Sequence, residues 1–188
     1  MKRHLPIVLC LFLPNTAFAG FYYELGFFNG GDTLVTGNAP ANIFPGEDAV
    51  KAGSGRKLAF GWHELLGKRR TRFFSASLGL LEDDLDSSGG DASLETISID
   101  AIYGYRFNPH RLGCGLSFHQ SPDFKQDIDS TTESKISFEN ATGILLQYSY
   151  EYTPAFHIGV RYVDMEYEAN DLEIDASGVG LLMMLTSF

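Results

Sequence analysis

Cysteine is almost absent from this chain, with only Cys10 and Cys114 among 188 residues. Cys10 lies in MKRHLPIVLCLFLPNTAFA, which has the parts of a secretory leader: basic Lys2 and Arg3, an apolar run from Leu5 to Leu13, and the small-x-small Ala17-Phe18-Ala19. Residues 1–19 are therefore expected to be a signal peptide, with a mature domain over 20–188. Leu9 is too large for a lipidation site before Cys10, and the position is too early. Cys114 then remains alone, which excludes a disulfide scaffold. Basic residues are also scarce. Lys and Arg number 14 against 24 Asp and Glu, giving −10 overall and −12 once Lys2 and Arg3 are removed. That balance offers no basic stripe and excludes nucleic acid as a partner. Beyond the leader no 18 consecutive apolar residues occur, so no transmembrane helix is expected. The five histidines, at 4, 63, 110, 119 and 157, have no ligand spacing. The stretch DDLDSSGGD (83–91) lacks the spacing and the closing Glu of an EF-hand. No metal or cofactor is expected.

What is abundant is aromatic and small: 15 Phe, 9 Tyr and 20 Gly. They fall in eight stretches that alternate with period two, the mark of strands. The stretches are 21–28, 56–63, 72–81, 96–107, 112–120, 141–152, 156–168 and 176–188. One face is large and apolar: Phe21, Tyr23, Leu25 and Phe27; Leu58, Phe60 and Trp62; Phe74, Leu78 and Leu80; and so on through Leu116, Ile144 and Ile158. The opposite face is Gly, Ala and Ser with single charges set among them: Glu24, Lys57, Asp100, His119, Glu151, His157 and Arg161. A soluble lipocalin-like barrel would place its apolar face inward and a Lys/Glu/Thr face in water. Small residues with a few charges of both signs instead suit the cramped inside of an eight-stranded barrel. The apolar face then meets lipid, where every backbone group must be paired within a closed structure.

The connections agree. Long acidic ones (29–55, 82–95, 121–140 and 169–175) follow the odd-numbered stretches, and short ones follow the even-numbered stretches. Long loops on one side with tight turns on the other is the habit of outer-membrane barrels. The long acidic segments read as solvated loops, and the basic LGKRRT (66–71) as a solvated periplasmic turn. The expected fold is an all-β, eight-stranded, antiparallel up-and-down transmembrane barrel in the outer membrane. A buried charge needs a partner, so Glu24, Lys57, Asp100, Glu151, His157 and Arg161 are expected to form one interior polar cluster. Eight strands leave no wide pore. Two rival readings are a narrow small-solute or ion channel and, as a soluble alternative, a periplasmic carrier.

With FENATGILLQYSYEYTP (138–154), FHIGVRYVDMEYE (156–168) and the terminal GLLMMLTSF, the chain resembles the small outer-membrane barrels of Gram-negative bacteria: OmpA-type transmembrane domains, OmpX and OmpW. The resemblance covers 20–188. It implies that Leu182, Met184 and Phe188 form the signal read by the barrel-assembly machinery, with Thr186 departing from the apolar pattern. It also implies a monomer in contact with outer-membrane lipid and lipopolysaccharide, acting through its external loops or as a structural element, without enzymatic activity. An alternative resemblance, to the lipid A deacylase PagL, rests on the order His119, Ser121, Glu133. There Ser would be nucleophile, His base and Glu its orienting carboxylate. Pro122 stands where that family has Asn.

Overall fold

In the computed structural model, residues 19–36, 49–87, 90–128, 132–169 and 172–187 are described; the leader 1–18 and Phe188 lie outside them. Thirteen strands account for most of these residues. They are β1 (Ala19–Gly30), β2 (Thr33–Thr36), β3 (Ala49–Lys51), β4 (Gly55–Leu66), β5 (Arg72–Ser87), β6 (Gly90–Phe107), β7 (His110–Ile128), β8 (Thr132–Ser137), β9 (Ala141–Thr153), β10 (Phe156–Asp164), β11 (Glu166–Ala169), β12 (Leu172–Asp175) and β13 (Gly178–Thr186). Eight of them, β1, β4, β5, β6, β7, β9, β10 and β13, pair antiparallel in that order, and β13 returns to β1 to close the ring. Closure leaves no edge at membrane depth, the condition for crossing lipid with strands.

The faces are those the alternation implies. Phe60, Leu116 and Ile158 are 47%, 56% and 46% exposed, whereas Ser77 and Arg161 are 6% and 0%. On β6 the outward residues from Ile97 to Phe107 span ten steps of about 3.3 Å. At the tilt of about 40° usual in such barrels this is a belt about 25 Å tall, the height of a hydrocarbon core. Rings gather at the end where the chain makes its tight turns: Phe21 stacks on Phe60 with centroids 5.3 Å apart, and Tyr152 meets Phe156 edge-on at 6.5 Å. The Arg72 guanidinium lies 5.8 Å from the Tyr105 ring centroid. Inside, small residues let large ones cross the bore. A Cβ on Gly61 would lie 2.4 Å from the Tyr22 ring, so Gly61 is what admits that ring.

The described parts of the long connections are mostly strand, not solvated loop. β5 and β6 stay paired to Ser87 and Gly90, and β7 and β8 pair from Asp123–Ser137 to Ile128–Thr132. β5, β6, β7 and β8 thus rise above the belt as one continuous sheet, while β2–β3 and β11–β12 form two further hairpins. The reason is a reversal of the inside–outside rule. Above the lipid the surroundings are water, so apolar side chains turn inward: Val50, Leu85, Leu94, Phe124, Phe138, Tyr167 and Ile174 pack as a core, with Leu34 and Val35 against it. The acidic residues Asp84, Asp91, Asp127, Glu166 and Glu168 face out. The expectation of irregular acidic loops at 82–95 and 121–140 is corrected accordingly. Part of the long segment 30–55, residues 37–48, lies outside the described residues.

Candidate functional site

The interior is filled in three tiers. The upper tier is the apolar core of the hairpins. The middle tier is ionic and centres on Arg161, delivered by β10 to the axis and fully buried. Its Nη1 and Nη2 donate in a fork to Glu24 Oε1 and Oε2, both at 2.7 Å. Nη1 also donates to Asp100 Oδ2 at 2.8 Å, and Nε and Nη2 donate to Gln147 Oε1 at 2.9 and 2.6 Å. These bonds satisfy all five guanidinium N–H groups. Asp100 accepts further from Lys57 Nζ at 2.5 Å and from Ser117 Oγ at 2.7 Å. Two cations against two carboxylates make the tier neutral. Burial of this kind is tolerable only when partners are complete, and here they are.

The lower tier, near the tight turns, holds Glu151. Its carboxylate accepts from Arg106 Nη2 at 2.9 Å, Arg106 Nε at 3.1 Å and Arg111 Nη2 at 2.9 Å. His63 and His157 are buried beside this group. The single cluster expected from sequence is therefore two. Glu24, Lys57, Asp100 and Arg161 come together; Glu151 and His157 do not join them. The cause is register. Arg161 lies opposite Gln147, whereas His157 lies opposite Glu151, four residues further toward the turn, about 13 Å along a strand. Gln147, Ser117, Arg106 and Arg111 were missed as site residues. All four had a usable signal, since each shares the inward parity of its strand's Ser and Gly residues.

His119, Ser121 and Glu133 are not brought into a catalytic arrangement. His119 points inward, its Nδ1 2.6 Å from the Tyr167 hydroxyl. A bulge in β7 places Ser121 at φ 41° on the outer side, its amide and hydroxyl both bonded to Asn140 Oδ1 at 2.9 and 3.2 Å. Glu133 lies in β8 opposite Asp127, and its side chain lies outside the described residues. Leu182 and Met184 are buried and face inward, while Leu181, Met183 and Leu185 carry the lipid-facing stripe of β13; Phe188 lies outside the described residues. Among the described residues no cluster of three metal-ligating side chains occurs.

A closed ring of eight strands, an outward apolar belt and a filled bore define a small integral β-barrel of the outer-membrane type. No protein-family profile matches the sequence, and no curated protein matches it. Among solved structures the fold is similar to Ail, the attachment invasion locus protein of Yersinia pestis, with a TM-score of 0.60 and 13% identity over 90% of this chain and 97% of that one. A second Ail structure, in complex with the heparin analogue sucrose octasulfate, gives 0.59 and 12% over 90% and 97%. Neisserial surface protein A gives 0.54 and 12% over 89% and 96%. At these identities the likeness is one of fold.

Proposed function

We propose that the chain is a plugged outer-membrane barrel that works at its outer rim, through interaction or by stabilising the membrane, and neither conducts solutes nor catalyses a reaction. The observation that carries this reading is the filled bore: apolar core, neutral ionic tier and Arg–Glu tier follow one another along the axis. On this reading its surroundings are outer-membrane lipid and lipopolysaccharide at the belt, its assembly passes through the barrel-assembly machinery, and it acts as a monomer. The rim is acidic, with Asp32, Asp84, Asp91, Glu139, Glu166, Glu168 and Glu173 exposed against Arg56 and Lys135. That charge suits a basic partner and disfavours polyanions of the kind bound by Ail in its sucrose octasulfate complex. Purified barrel in planar bilayers is expected to give no conductance, and barrel in nanodiscs is expected to bind immobilised basic peptide and to pass through a heparin matrix. Steady conductance would establish the channel reading instead; retention on heparin would overturn the charge argument.

A further inference from the structure

The middle ionic tier is balanced, and the lower one is not. Arg106 and Arg111 share a single carboxylate, Glu151, so among the described residues one positive charge is left over. Against this group lies a cavity of about 20 Å³ bounded by Tyr22, His63, Arg111, Gln147 and His157, among others. Three buried nitrogens of its walls have no hydrogen-bond partner among the described residues: His63 Nδ1, Arg111 Nε and His157 Nε2. Their residues are only 7%, 9% and 2% exposed, so bulk water does not serve them.

We propose that this chamber is a binding site for one small monovalent anion of the halide class. Surplus positive charge supplies the attraction. The Arg111 Nε–H is a fixed charged donor, and His63 offers a second N–H in the tautomer protonated at Nδ1. At about 20 Å³ the cavity exceeds the roughly 10–15 Å³ that one water needs, which leaves room for a single monatomic ion. A tetrahedral oxyanion such as sulfate is too large for it.

His157, in register with Glu151 on β9, also walls the chamber, and its Nε2 has no partner among the described residues.

The test uses bromide as the probe on the intact barrel. Crystals grown in sodium bromide are expected to show an anomalous peak within hydrogen-bonding reach of Arg111 Nε and His63 Nδ1; water there without anomalous signal overturns the site. In detergent, thermal unfolding is compared in sodium bromide and sodium gluconate at equal ionic strength. The melting temperature is expected to rise with bromide. Arg111→Gln removes the halide shift. His63→Leu, which leaves the Arg106–Glu151–Arg111 group intact, reduces it, so the proposal stays testable if Arg111→Gln does not fold. Equal melting temperatures in the two salts, or a halide shift of unchanged size in both variants, overturn the proposal.

Discussion

Replacing Arg161 by Met keeps most of the side-chain length and removes five N–H donors from the centre of the barrel. The loss is not that of one salt bridge. Glu24 keeps none of its guanidinium bonds, Gln147 Oε1 loses both of its own, and Asp100 is left with Lys57 and Ser117. The tier passes from neutral to −1 at a site with no exposed surface. Breaking a buried pair by removing one partner costs about 3–5 kcal/mol, chiefly because the other charge stays buried and uncompensated. Adding Glu24→Gln restores neutrality, with Lys57 facing Asp100. The double variant is therefore expected to recover part of that loss, with a coupling energy of about 1–3 kcal/mol. Urea unfolding of the barrel in lipid bilayers, followed by tryptophan fluorescence from Trp62, measures all four corners of the cycle. A loss below about 1 kcal/mol for Arg161→Met, or strict additivity with Glu24→Gln, would refute the claim that the tier is one closed, neutral network.

Other expectations concern the upper layer. Phe124→Ala removes a buried ring from its core and is expected to cost about 3–5 kcal/mol; proteolysis should then cut the hairpins while the belt stays folded, and unchanged protease resistance would contradict a cooperative core there. Tyr167→Phe deletes the partner of His119 Nδ1 and is expected to cost about 1 kcal/mol, read from denaturant midpoints. Asp83, above the belt, accepts from the Lys51 amide at 2.9 Å, and burial pushes its carboxyl up from 3.8 to about 6. Because the folded value lies above the unfolded one, the stabilisation is complete below about pH 4 and is lost as pH rises through about 6. The denaturant midpoint of the native chain, relative to that of Asp83→Asn, should fall across that window; a constant difference between the two would count against it.

The membrane-spanning part was legible because lipid and a narrow bore impose opposite demands on alternate residues. Phe60 beside Gly61 and Leu116 beside Ser117 state both demands in two letters. The hairpins were hidden because the rule inverts at the water boundary. In EDDLDSSGGDASLE the acidic residues suggest a loop, yet Leu85, Ala92 and Leu94 already mark an inward apolar face. The interior charges Glu24, Lys57, Asp100, Glu151 and Arg161 were legible as one face, since each shares parity with Gly or Ser, while Arg106 and Arg111, on the same parity, were passed over. How they divide was not legible, because parity gives a face and says nothing of height. The height comes from the pairing register that aligns Arg161 with Gln147 and His157 with Glu151.

Lipid-borne quenching gives the most direct test of orientation. In a Cys114→Ser background, single cysteines at Leu116, Ile158 and Ser77 carry a small fluorophore, and the barrel is reconstituted in lipids with brominated tails. Labels at Leu116 and Ile158 are expected to be strongly quenched by the tails and the label at Ser77 to be spared. Quenching at Ser77 with none at Leu116 and Ile158 would place the apolar face inside and contradict the account.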